Sequence, residues 1–147
     1  MLNKLLSAFL TAFLFCVLLA YTVYTPIDER DETVYYFSFS SLVIIYLVYA
    51  LPITFLAGIP LSLLIDFIDK KIVTDSKIKR YIVNLGLYSL AGVTVALFFL
   101  IISGDVLNKL FDFIRYSFVF IFPSLLFYHI SIFIRFITKG FRQCYEP

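Results

Sequence analysis

Charge is scarce in this chain. Only 15% of its 147 residues are Asp, Glu, Lys or Arg, and these are clustered. A nucleic-acid surface needs a basic stripe interleaved with aromatics. None is present, so no nucleic-acid partner is expected. Histidine occurs once, as His129, and cysteine twice, as Cys16 and Cys144. One histidine, with no acid inside any apolar run, falls short of the ligand count of a zinc site. No metal and no cofactor are expected. Cys16 lies within an apolar run and Cys144 near the C-terminus, so no disulfide framework follows. Also missing are a Cys-x-x-Cys pair, a phosphate-cradling glycine loop and a Gly-x-Ser-x-Gly elbow. No catalytic residue is assigned, and the chain reads as a non-enzyme. The run 5–27 lacks the acid that small four-span drug exporters usually carry there.

Apolar residues fill the space that charge leaves. They make up 62% of the chain, with a mean hydropathy of +0.98. A typical soluble domain has roughly 45–50%. Four uncharged runs stand out, at 5–27, 33–65, 81–104 and 116–134. A bilayer core about 30 Å thick takes about 20 helical residues to cross. The expected fold is therefore all-α, a polytopic membrane protein with four transmembrane helices in one domain. The spans are placed at about 5–25, 42–65, 81–103 and 117–135. The first is read as a retained span rather than a signal peptide, because "AYTVYTPIDE" offers no small-x-small cleavage site. Residues 34–41 are placed at the outer interface, where tyrosines settle. Residues 105–115 alternate polar and apolar faces. They predict either a short amphipathic helix on the outer surface or continuations of the flanking spans.

Lysine and arginine divide unevenly between the two sides. One side carries Lys4, Lys70, Lys71, Lys77, Lys79, Arg80, Arg135, Lys139 and Arg142; the other carries Arg30, Lys109 and Arg115. The positive-inside rule then sets both termini in the cytoplasm. The expected location is the cell membrane of a bacterium, multi-pass.

Small residues mark the faces that meet. Lipid tails are as apolar as leucine, so helices associate in the bilayer through close backbone approach. The first span has Ala8, Ala12, Cys16 and Ala20 at four-residue steps. The second has Ala50, Thr54, Gly58 and Ser62, and the next step reaches Asp66. The third shows Asn84, Tyr88, Gly92 and Ala96, and the fourth Ser117, Ser124, Ser131 and Thr138 every seven residues. Four such stripes predict one packed bundle.

The stretch "FLAGIPLSLLIDFIDKK" (55–71) holds most of the candidate functional or packing residues: Gly58, Pro60, Ser62 and Asp66. Pro52 and Pro60 lack amide hydrogens and free the carbonyls of Val48 and Leu56. Thr54 and Ser62 lie near enough to serve them, and Gly58 would admit a neighbouring backbone. The kink reads first as packing, and second as the broken helix of a transporter cavity. Asp66 reads first as the partner of Lys70, one helical turn on. Asn84 and Gly92 complete the packing candidates. His129, an ionisable group inside the fourth span, reads as bonded to a serine or carbonyl of a neighbouring helix.

The segment Gly58-Ile59-Pro60-Leu61-Ser62-Leu63-Leu64-Ile65-Asp66, in a four-span chain of this length, resembles an uncharacterised family of small Firmicute membrane proteins. In that family a Gly-x-Pro-x-Ser segment followed by an acid ends the second span. The resemblance implies a location and no chemistry. The leading expectation is an accessory or interaction protein, with the lipid bilayer and a membrane-protein partner or second copy as its contacts. A small transporter or channel subunit is the alternative. A holin-like membrane-perturbing protein comes third.

Overall fold

The computed structural model describes residues 2–72, 76–102 and 110–145. Helix α1 runs Leu2–Val23, α2 Phe39–Ile53, α3 Ile59–Lys71, α4 Lys77–Ile102 and α5 Leu110–Tyr145. A π turn, Thr54–Gly58, joins α2 to α3 without a loop. The described residues contain no strand. Among the described residues, four segments are long and apolar enough to cross a membrane: Leu2–Glu29, Phe39–Lys71, Lys77–Ile102 and Ser117–Thr138. The chain is thus an all-α membrane protein with four spans. The second span is α2, the π turn and α3 in succession. Residues 105–109 of the expected amphipathic segment lie outside the described residues, and Leu110 onward continues the fourth span as the start of α5.

Local chemistry sets the ends. Ser38 stays extended, and its Oγ accepts the Ser41 amide at 3.2 Å, which starts α2. The Ser76 carbonyl accepts the Arg80 amide at 3.1 Å, opening α4. Between α1 and α2, a short 3-10 turn at Ile27–Glu29 folds the loop. There Arg30 caps the Thr25 carbonyl and lies over the Tyr24 and Tyr36 rings. The backbone amide and then the hydroxyl of Thr33 bond Asp31 and hold its carboxyl below the usual range.

The stripes of small residues mark the packing. Ala8, Ala12, Cys16 and Ala20 are all buried, and α1 lies against both α2 and α5. Helix α4 lies against α5 along most of its length, and α3 touches α4. A Cβ built on Gly92 would sit 2.7 Å from the Ile121 Cα and 2.9 Å from the Phe120 carbonyl oxygen. The α4 and α5 backbones touch there, which glycine alone permits. Across the same seam the Ser124 hydroxyl donates to the Tyr88 carbonyl at 2.6 Å. Gly58 behaves otherwise. A Cβ there meets only the Thr54 Cγ2, at 3.5 Å, so no neighbouring backbone approaches it as the sequence suggested.

The second span leans along α1 and is poorly covered elsewhere. Only 6% of its apolar window is buried, against 28–33% for the other three. Prolines explain its irregularity. Pro52 and Pro60 bracket the π turn, whose five-residue hydrogen-bond step takes up the register that Pro60 cannot sustain. The Thr54 hydroxyl returns to the Ala50 carbonyl at 2.7 Å, not to Val48. Ser62 serves no freed carbonyl either; its hydroxyl goes to other spans.

Candidate functional site

At the end of the bundle where α1 begins, three spans converge on Asp66. Lys4 Nζ lies 2.6 Å from its Oδ2, and Arg135 Nη2 lies 3.1 Å from the same oxygen. The same Lys4 ammonium donates to Ser62 Oγ at 2.9 Å. Ser62 Oγ in turn lies 3.1 Å from the Tyr88 hydroxyl. Spans one, two, three and four are thus joined through Lys4, Asp66, Ser62, Tyr88 and Arg135. The expected Asp66–Lys70 pair gives way to this arrangement. Asp66 faces the bundle, where two cations from other spans reach it, and Lys70 is exposed.

A second ion pair lies one turn further along α3. Arg80 grips Asp69 with Nε and Nη2 at 3.0 and 2.6 Å. Such bidentate pairs are strong and directional. Asn84 Nδ2 donates to the same carboxylate at 3.1 Å, tying α4 to α3. Asn84 therefore makes an interhelical bond, as its place in the third stripe predicts.

His129 sits apart from this cluster, exposed on the outside of α5. Its Nδ1 is 2.8 Å from the Leu125 carbonyl oxygen and its Nε2 is 3.0 Å from the Tyr81 hydroxyl. A carbonyl only accepts, so Nδ1 carries a proton; in the neutral ring Nε2 then accepts from Tyr81. The expected tie to a neighbouring helix is present, but its partner is a tyrosine, and the carbonyl belongs to α5 itself.

Three of the cavities among the described residues border the second span. The smallest, about 40 Å³, lies between the two ion pairs and is lined by Asp66, Asp69, Asn84, Tyr88, Tyr128, Ser131 and Arg135, with Ile65 and Ile132. The next, about 80 Å³, lies inside the bundle beside Gly58, Ser62, Tyr88 and Gly92. Its hydroxyls are turned away. Thr11 bonds the Ser7 carbonyl, Thr54 the Ala50 carbonyl and Ser124 the Tyr88 carbonyl. What remains facing the space is carbon. The largest, about 550 Å³, is an open cleft between the kinked second span and α4. Pro52, Leu56 and Pro60 form one wall, and Thr94, Phe98 and Ile102 the other. Sequence reasoning located Gly58, Pro60, Ser62, Asp66, Asn84 and Gly92 around these cavities. It missed Lys4, Asp69, Arg80, Arg135 and Ser131. Lys4, Asp69, Arg80 and Arg135 stand near span ends, and each has its partner on another helix; Ser131 Oγ has no hydrogen-bond partner among the described residues.

No group of three or more His, Cys, Asp or Glu side chains that could hold a metal ion occurs among the described residues. Compared with protein-family models, curated proteins and solved structures, the chain matches none.

Proposed function

We propose that this chain is an accessory or interaction protein of a cell membrane, acting through contacts made within the bilayer. Both termini would lie in the cytoplasm, as the lysine and arginine bias predicts. One observation carries the reading: the second span is the least covered of the four, and it borders a wide apolar cleft. Helices associate in lipid through shape and close approach. A kinked helix with an open flank offers a shaped surface that a straight, covered helix does not. The partner is another membrane protein or a second copy of this chain.

Photocrosslinking tests this. A photoreactive residue at Leu56, 79% exposed beside the cleft, should give a discrete protein adduct in native membranes. The same group at Phe136, 78% exposed on the fourth span, should give lipid adducts only. Filling the cleft with Ala57→Phe should abolish the Leu56 adduct. Identical lipid-only products at both sites would defeat the reading.

A second reading, a small transporter or channel subunit, draws on the Lys4–Asp66–Arg135 cluster and the Ser62–Tyr88 contact below the kink. Against it stands the apolar lining of the cavity above, where every bonded hydroxyl turns back to a carbonyl or to its neighbour.

A further inference from the structure

We propose that the cavity of about 40 Å³ between Asp66 and Asp69 is a binding site for water, hydrated from the charged end of the bundle and closed at Tyr88. Two buried atoms on its wall, Asn84 Oδ1 and Ser131 Oγ, have no hydrogen-bond partner among the described residues. Ser131 is only 8% exposed. Other helical hydroxyls here, such as Ser7, Ser89 and Thr138, bond the carbonyl four residues back. Ser131 Oγ does not, which leaves it for the cavity. A buried hydroxyl or amide without a partner is costly, so such groups point to an unseen one.

Chemistry narrows the ligand. The orientation of the Asn84 amide is set by Asp69, which can only accept, so Nδ2 faces Asp69 and Oδ1 is a true acceptor. A simple anion finds that oxygen and two carboxylates against it. A metal cation fares no better. Asp66 is already engaged by Lys4 and Arg135, and Asp69 by Arg80. Both carboxylates are thus already paired with cations, which leaves no free negative charge to hold a metal ion. A neutral molecule that both donates and accepts fits all of these groups. The volume exceeds the roughly 10–15 Å³ needed for one water. The adjoining cavity of about 80 Å³ is lined almost wholly by carbon, its hydroxyls being bonded elsewhere, and on this proposal stays dry. Tyr88 lines both spaces, so the water-filled region ends at its ring. This goes beyond the interaction reading and does not depend on it.

The sign of one substitution decides the matter. Ser131→Ala improves helix propensity and removes a hydroxyl. With a dry cavity it relieves an unpaired group, and the melting temperature stays level or rises. With bound water it strips a partner, and the melting temperature of the full chain in nanodiscs falls by about 2–4 °C. Ser117 is the control. It is 7% exposed, also lacks a partner, and lines neither polar nor apolar cavity described above. Ser117→Ala should leave the melting temperature level or raise it. Hydroxyl-radical footprinting supplies a second readout, since radicals form from water beside the side chain. Tyr88 and Tyr128, 5% and 8% exposed, should be modified several-fold more than Phe127, 3% exposed. Footprints no stronger than that of Phe127, or a neutral Ser131→Ala, would overturn the proposal. So would a melting temperature that rises selectively in sodium or potassium over choline at equal ionic strength, which would make the site a cation site.

Discussion

Lys4, in the first turn of the first span, places its ammonium 2.6 Å from the Asp66 carboxylate at the other end of the second span's kink. The Lys4 side chain is 15% exposed, that of Asp66 32% and that of Arg135 54%. The two cations on this one carboxylate are therefore unequal partners. Lys4 is sheltered and has few other acceptors, whereas Arg135 is half in solvent.

That inequality predicts unequal mutants. Asp66→Asn leaves the sheltered Lys4 ammonium with neutral acceptors only and no opposite charge, and should cost about 1–3 kcal/mol. Arg135→Gln should cost only about 0.2–1 kcal/mol, as half-exposed pairs do. Adding Lys4→Met to Asp66→Asn should recover part of the loss, because the two sites share one interaction. Thermal unfolding in detergent measures all three. Equal losses for Asp66→Asn and Arg135→Gln would contradict the sheltered-ammonium account.

Gly58 and Gly92, two of the glycines within the spans, should part company. Gly92→Ala puts a methyl 2.7 Å from the Ile121 Cα, against backbone that cannot step aside cheaply. It should destabilise by about 1–3 kcal/mol, and Gly92→Leu by more. Gly58→Ala meets only ordinary contact and loses a helix-weakening residue, so it should be neutral or stabilising by about 0.5–1 kcal/mol. Leu97→Ile, on an exposed face of α4, should be nearly silent. A shared response of Gly92→Ala and Gly58→Ala would refute the close approach.

Pro60→Ala gives back a backbone donor just after the π turn. If the turn then relaxes to α-helix, removing its extra residue rotates the segment beyond it by about 100°. Ser62 and Asp66 would swing away from Lys4. The expected result is a loss similar to that of Asp66→Asn, with the double mutant little worse than either. Full additivity would show that the kink does not set the direction of Asp66.

The orientation has its own test. A cytoplasmic reporter fused after Pro147 or inserted near Thr74 should be active, and one near Glu29 silent. The opposite pattern would turn the charged end outward.

The spans were legible because a bilayer demands length and apolarity, and both are written in consecutive residues. The buried stripe Ala8, Ala12, Cys16 and Ala20 was legible too, since helical spacing alone puts it on one face. Asp66 shows where such reading stops. Lys70 is near in sequence, but which cation arrives depends on how α1 and α5 are placed, and nothing local to residue 66 encodes that. The π turn was hidden for a related reason. Two prolines announce disturbance, but whether a helix answers with a bend or an extra residue depends on its neighbours. The cleft follows from that answer: α2 leans on α1, and the flank towards α4 opens. Ser131 was legible only as one of three serines and a threonine at seven-residue steps. Its lack of a partner is a property of the folded packing.

The seam between α4 and α5 carries the Gly92 contact and the Ser124 bond to the Tyr88 carbonyl, while the second span lies along α1 and makes its polar ties at Ser62, Asp66 and Asp69. Extraction of the chain from a bilayer by pulling should therefore not be smooth. The last two helices should leave together as one hairpin in a single high-force event. The second should part from α1 first and then resist again when the tether reaches Asp66. The molecule would behave mechanically as a rigid pair with a hinged strut beside it.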